Sequence, residues 1–309
     1  VMRELAEGNI SLEDQVLVSK KAWRTPGSRM FIEVNKRVSL ENLLKGMIIA
    51  SGNDASVALA EHVAGSEETF ANLMNDHARR LGMNDSHFVN STGLPAKDHY
   101  TTARDIAKVT KASIIEFPVY YAWYAVKSFT FNEIKQHNRN RLLWRDEKVD
   151  GVKTGHTEGA GYCLVSSAKQ GPMRLIAVLM GTNSEDARAK ESQSLLNYGF
   201  RFFETHRLYG AGDVLSRVRV WKGAKEKVAL GLANDLYVTI PRRQYQNLKA
   251  SMNVDPRLMA PLDKGRPLGK VTIGLGKQTV AQVPLIALEQ IDEGGITNVI
   301  KDSVLLWFE

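Results

Sequence analysis

The most constraining stretch of the chain lies between Tyr162 and Gly181. "YCLVSSA" and "MRLIAVLMG" are two apolar, β-rich runs separated by Gln170-Gly171-Pro172, the pattern of an antiparallel hairpin. Lys153, Thr154, Gly155 and His156 stand just ahead of it. Helical periodicity surrounds the hairpin on both sides. Ser39 caps a helix with apolar Leu40, Leu43, Leu44, Met47 and Ile48, and the pattern breaks at Ser51-Gly52-Asn53-Asp54. A second helix runs through "ASVALAEHVA" to Gly65, and a third, from Ser66 to Gly82, carries Phe70, Leu73, Met74, His77 and Leu81 on one face. Thr102, with Asp105 three residues on, opens a fourth that stops before Pro118. A last helix spans Ser184 to Phe203, with Ala187, Glu191, Leu195, Tyr198 and Phe202 along it. The expectation is an α/β (α+β) domain in which a small sheet packs with several helices.

The texture changes near His206. "VLSRVRVW", "LYVTIP", "KVTIGLG" and "QTVAQVPLIAL" alternate or run β-branched between Gly, Asn and Pro, which predicts a small all-β domain. The final stretch, "GGITNVIKDSVLLWFE", places Ile296, Val299, Ile300, Val304, Trp307 and Phe308 on one side of a helix, with Thr297, Asn298, Lys301, Asp302 and Ser303 opposite. Such a helix packs on its own protein or lies in a membrane interface. At 309 residues the chain is long enough for two ordinary cores. The predicted division is 1–203, 204–293 and 294–309.

Composition narrows the function classes. An apolar share of 43% and a charged share of 24% are those of a globular protein, and no apolar run approaches a membrane span. The opening "VMRELAEGN" reads as the end of a helix already under way, with no basic-then-apolar leader, so the chain is mature, truncated or cytosolic. The net charge of +7 favours anionic partners without choosing among them. No nucleic-acid recognition motif accompanies it. A single cysteine, Cys163, permits no internal disulfide, and the seven histidines lack metal-ligand spacing. Metal chemistry is therefore not expected.

Two short motifs carry chemistry. At a strand edge, backbone groups can pair with an extended peptide, and Gly155 lets that peptide approach because no Cβ intervenes. Thr154 adds a hydroxyl and Lys153 a cation able to reach a carboxylate. About 100 residues earlier, Ser51-Gly52-Asn53 lies in a loop between two apolar helices, where a serine and an amide can point into one cleft. Asn53 or Asp54 is also placed to cap the following helix.

Together, S-x-N followed by K-T-G before a hairpin resembles the penicillin-recognising serine enzymes. Beyond the triplets, "SGNDASVALAEHVAG", "FTFNEIKQHNRNRLLW", "VDGVKTGHTEGAGY", "LLNYGFRFFET" and the β-rich tail are similar to D-alanyl-D-alanine carboxypeptidases of the penicillin-binding protein 5 type. The resemblance covers nearly the whole chain. It implies a serine β-lactamase/transpeptidase-like catalytic domain, a β-rich stalk domain and a terminal membrane-anchor helix. The family's S-x-x-K, which supplies the nucleophilic serine and its lysine, is expected before Val1. The literal match Ser166-Ser167-Ala168-Lys169 is a decoy, because it lies in the hairpin and follows K-T-G.

The resemblance further implies that Ser51 relays a proton, Asn53 holds the substrate amide, and Lys153 hydrogen-bonds Ser51. Thr154 and Gly155 would bind the carboxylate and backbone of the substrate. His156 would line the rim, Arg188 would bind the terminal carboxylate, and Arg139 would support it. No cofactor is implied. The partners would be peptidoglycan stem peptides, β-lactams and the periplasmic face of the inner membrane. A non-catalytic wall-binding or scaffolding protein and a β-lactamase are the rival readings; Gly52, where class A β-lactamases usually carry Asp, argues against the second.

Overall fold

The computed structural model describes residues 1–307. By internal contacts the chain divides into two compact units, Val1–Phe200 and the residues from Arg201 on.

The first unit is organised around the helix Asn53–Ala64, in which every residue from Asp54 to Ala60 is buried. Its Ala, Val and Leu content makes it apolar on nearly all sides, as a helix enclosed by its own protein must be. The preceding helix, Leu40–Lys45, is capped by Ser39, whose hydroxyl accepts from Asn42 N–H. It continues as one wide π-type turn, Gly46–Ala50, and ends at Ser51, whose φ of 59° is left-handed. Thr102 caps the helix Ala103–Glu116 as its position predicts, and Ser66, where the third helix was expected to start, caps Glu67–Arg80. In Glu67–Arg80 the buried positions are Ala71 and Ala78, whereas Phe70, Leu73, Met74 and His77 are only partly covered. Small side chains let a helix approach its neighbour closely, so the deepest face need not be the bulkiest one.

The largest sheet of this unit has three antiparallel strands: Val149–Thr157, Gly161–Gln170 and Met173–Thr182. The last two form the predicted hairpin, with Gly171 at φ 57° in its turn. The first strand carries the triplet expected at a strand edge: Lys153, Thr154 and Gly155 lie within it, opposite Val165, Leu164 and Cys163. The strand occupies the edge of the sheet, so it offers one unpaired side. The Ser166–Lys169 match lies in the central strand. Ser166 and Ser167 are fully buried while Lys169 is exposed, so that match makes no catalytic pair.

The helix Glu185–Phe202 is capped by Ser184 and buries Arg188, Ala189, Ser192, Leu196 and Phe200. Leu195 and Tyr198 lie on its exposed side.

The second unit is built from strands. A six-stranded sheet runs in the order Leu248–Val254, Pro267–Leu275, Gln278–Ala287, Lys227–Gly231, Ser216–Trp221 and Leu258–Met259, antiparallel except for the last pair. A separate pair joins Phe203–Tyr209 to Leu236–Pro241. In Leu236–Pro241 buried and exposed residues alternate strictly, and Val228, Leu230, Val271, Ile273 and Leu285 fill the core. The terminal helix Ile296–Leu305 buries no residue fully. Asp302 turns inward, accepting from Lys222 N–H at 2.6 Å and from the Arg219 guanidinium at 3.1 Å. Ile296, Ile300, Val304 and Trp307 are exposed; Phe308, assigned to the same side, lies outside the described residues. Among the described residues no helix is long and apolar enough to cross a membrane.

Candidate active site

The site is a cleft of about 770 Å³ in the first unit, lined on one side by Ser51 and Asn53 and on the other by Lys153, Thr154, Gly155 and His156. Two local causes shape the first bank. The π-type turn underwinds and widens the end of the preceding helix, and Gly52 N–H closes it by donating to Gly46 O at 3.1 Å. Ser51 then takes a left-handed conformation, which costs a non-glycine residue free energy and persists only where the surroundings enforce it. The capping role considered for Asn53 and Asp54 gives way to another arrangement. Gly52 occupies the cap position, Asn53 donates its side-chain N–H to Pro26 O at 2.8 Å, and Asp54 reaches across to the backbone of Met30–Ile32.

The second bank is the edge strand. It lines the cleft along its unpaired edge, so the consecutive residues Lys153, Thr154, Gly155 and His156 all border it, and the register with the central strand decides how far along they sit. Lys153 donates from Nζ to Ser51 Oγ at 2.5 Å and to its neighbour Thr154 O at 3.3 Å. This bond links residues 102 apart in sequence and joins the two motifs. Burial of the ammonium, then the positive fields of Arg139 and Arg188, pull the Lys153 pKa down to about 8. The group is thus mainly cationic at neutral pH yet able to lose its proton a little above it.

Arg188 is 4% exposed. Its guanidinium donates to Gly155 O at 3.1 Å, approaches Glu185 at 3.7 Å and stands 5.6 Å over the Tyr162 ring. It therefore braces the edge strand while lining the cleft. Arg139 lines the cleft from an exposed position, between Asn138 and Asn140, both buried. Asn140 donates to Gly151 O at 3.0 Å, holding the start of the edge strand. The His156 ring lies 4.0 Å from that of Tyr162. All eight residues singled out in the sequence line the same cleft.

The structure adds residues that sequence reasoning passed over. Gly27 and Ser28 close one end of the cleft, and Ser91, Thr92, Gly93 and Leu94 contribute a further wall. The signal available was turn chemistry: Pro26-Gly27-Ser28 and Thr92-Gly93 are punctuation, and both glycines adopt positive φ, 87° and 78°. Chemically, the cleft offers a hydroxyl polarised by an ammonium, two guanidinium groups suited to a carboxylate, and a strand edge suited to an extended peptide.

A family profile described as D-alanyl-D-alanine carboxypeptidase, Peptidase S11, matches residues 1–184. The chain belongs to the D-alanyl-D-alanine carboxypeptidase family. A second profile, the C-terminal domain of penicillin-binding protein 5, matches residues 203–293 of this family member. Among carboxypeptidase relatives, D-alanyl-D-alanine carboxypeptidase DacC of Escherichia coli K12 is 46% identical over 316 residues, covering 100% of this chain and 79% of DacC. The structure of penicillin-binding protein 5 from Haemophilus influenzae is similar at 40% identity with a TM-score of 0.85, covering 94% of this chain and 87% of that one. Penicillin-binding protein D2 from Listeria monocytogenes, solved in an ampicillin-bound form, is similar at 26% identity with a TM-score of 0.59, covering 65% of this chain and 82% of that one.

Proposed function

We propose that this cleft is the S-x-N and K-T-G half of a serine D-Ala-D-Ala carboxypeptidase acting on peptidoglycan stem peptides and acylated by β-lactams. The observation that carries the proposal is the Lys153 Nζ–Ser51 Oγ bond at 2.5 Å, which sets a cationic strand edge against a serine–amide corner across one groove. The nucleophilic serine and its lysine, the family's S-x-x-K pair, are not in this numbering. That serine attacks the carbonyl of the penultimate D-Ala, forms an acyl-enzyme and releases the terminal D-Ala; water then hydrolyses the ester. Ser51, held by Lys153, passes a proton to the departing nitrogen. Asn53 orients the substrate amide. Thr154, Gly155 and Arg188 receive the terminal carboxylate and backbone, with Arg139 and His156 at the rim.

The proposed setting is the periplasmic face of the inner membrane. The terminal helix is tied to its own domain through Asp302 and leaves Ile296, Ile300, Val304 and Trp307 exposed. Those side chains suit burial at the boundary of headgroups and acyl chains, and the 204–293 region serves as a stalk. Flotation with liposomes tests this: a chain lacking residues 296–309 that floats as well as the intact one removes the anchor.

The catalytic reading is tested by fluorescent penicillin on the full-length protein. A stable adduct that disappears in Lys153→Ala supports it, whereas undiminished labelling of Lys153→Ala overturns the role of Lys153. Absence of any adduct on the wild type favours a non-catalytic wall protein, and rapid nitrocefin turnover favours a β-lactamase.

A further inference from the structure

We propose that Asp54 is a positioning residue for the reaction: its buried carboxylate welds the Met30–Ile32 backbone to the Ser51-Gly52-Asn53 corner and so fixes where the Ser51 hydroxyl and Asn53 amide point. The proposal rests on the functional reading of the cleft given above.

Asp54 is 1% exposed. A buried carboxylate is tolerated only when its oxygens are hydrogen-bonded, and here backbone N–H groups supply the bonds. Oδ1 accepts from Met30 N–H at 2.9 Å and from Ala55 N–H at 2.9 Å; Oδ2 accepts from Phe31 N–H at 2.9 Å and Ile32 N–H at 3.3 Å. The left-handed Phe31, φ 68°, turns three successive amides toward one anion, the geometry of a backbone nest. Only the Ala55 bond lies within the residue's own helix. The other three cross 22 to 24 residues of sequence, so the carboxylate joins two segments rather than capping one.

The segment it grips is the one that holds Asn53. Pro26 O accepts from the Asn53 side chain at 2.8 Å, and Ser28 O accepts from Asn53 N–H at 2.7 Å. Met30, fully buried, fills the space between two glycines of the corner. A Cβ at Gly46 would overlap Met30 Sδ, and one at Gly52 would lie 2.8 Å from Asp54 Oδ1 and 3.0 Å from Met30 N. The left-handed Ser51 sits between these fixed points. Asp54 does not itself line the cleft; it acts through Ser51 and Asn53.

The test compares Asp54→Asn with Asp105→Asn in the full-length protein. Asp105 is an equally buried carboxylate that accepts from Asp85 N–H and Ser86 Oγ and pairs with Lys108, away from the cleft. Thermal midpoint, kcat and KM on a D-Ala-D-Ala peptide are measured for both. Each substitution is expected to lower the midpoint, but only Asp54→Asn should lose kcat, on the order of a hundredfold, with KM changed by less than about threefold. An Asp54→Asn protein with wild-type kcat, or an equal kcat loss in Asp105→Asn, overturns the proposal.

Should Asp54→Asn fail to fold, Gly46→Ala and Gly46→Ala/Met30→Ala decide. Truncating Met30 removes the overlapping sulfur, so the double variant should regain at least about tenfold of the kcat lost by the single one; no recovery overturns the interlock. If the wild type does not turn over peptide, the carboxypeptidase reading falls separately. The same variants are then compared by their rate of penicillin labelling. A slower rate in Asp54→Asn alone supports the interlock, and an unchanged rate, or an equal loss in Asp105→Asn, overturns it.

Discussion

The two banks of the cleft are built on different principles. The Lys153 bank is a strand: pairing with the central strand places its residues along the cleft. The Ser51 bank is a corner held by a π-type turn, a left-handed serine and a carboxylate shared with a distant segment. A regular element tolerates a local change because its neighbours hold the register. An interlocked corner concentrates its geometry in a few contacts, so a single atom can displace it.

Glycine substitutions sharpen this contrast most. Gly52→Ala should cost about 1–3 kcal/mol of stability by overpacking, because its Cβ meets Asp54 Oδ1 and Met30 N. It should also lose penicillin labelling; a Gly52→Ala protein with unchanged thermal midpoint and labelling would break the comparison. Arg188→Ala comes next. Removal of a charged donor from Gly155 O and from the expected substrate carboxylate should lower kcat/KM on D-Ala-D-Ala peptides about tenfold to a hundredfold, with a smaller effect on β-lactam acylation. Equal losses on both substrates would point to a folding defect instead.

Gly155→Ala is the counterpart of Gly52→Ala. Its Cβ would touch only Cys163 Cβ, at 3.6 Å, an ordinary contact. Stability should change by less than about 0.5 kcal/mol, while KM for the peptide rises several-fold, about 1 kcal/mol of lost close approach. An unaltered KM would separate the strand glycine from substrate binding. The smallest effect concerns pH. The cationic Lys153 is required to hold Ser51, so activity should fall as pH rises through about 8. Arg139 helps depress that pKa; Arg139→Ala should therefore move the alkaline limb of kcat upward. A limb that stays in place, or moves down, removes Arg139 from the electrostatics of Lys153.

Legibility in the sequence follows the same division. The hairpin, the caps at Ser39, Ser66 and Thr102, and the break at Ser51 were readable because each is a local rule acting within a few residues. The triplet Lys153-Thr154-Gly155 was readable as a strand edge, while its register against Val165, Leu164 and Cys163 appears only in the paired sheet. The part played by residues 26–32 was not readable. "PGSRMFI" shows neither helical nor strand periodicity, and its amides acquire their role only when Asp54 arrives from 22 to 24 residues away. Leu195 and Tyr198 make the same point in reverse, since apolar spacing along Glu185–Phe202 does not tell which stripe is covered.

By itself, the sequence determined which elements form and which two motifs carry the chemistry, because periodicity, capping and turn residues act over short distances. Only the tertiary structure decided that Lys153 Nζ meets Ser51 Oγ, that Arg188 braces Gly155, and that Asp54 anchors the corner. Those contacts join residues 22 to 102 positions apart, where nothing local specifies distance and the packing of the core helix against its neighbours sets it.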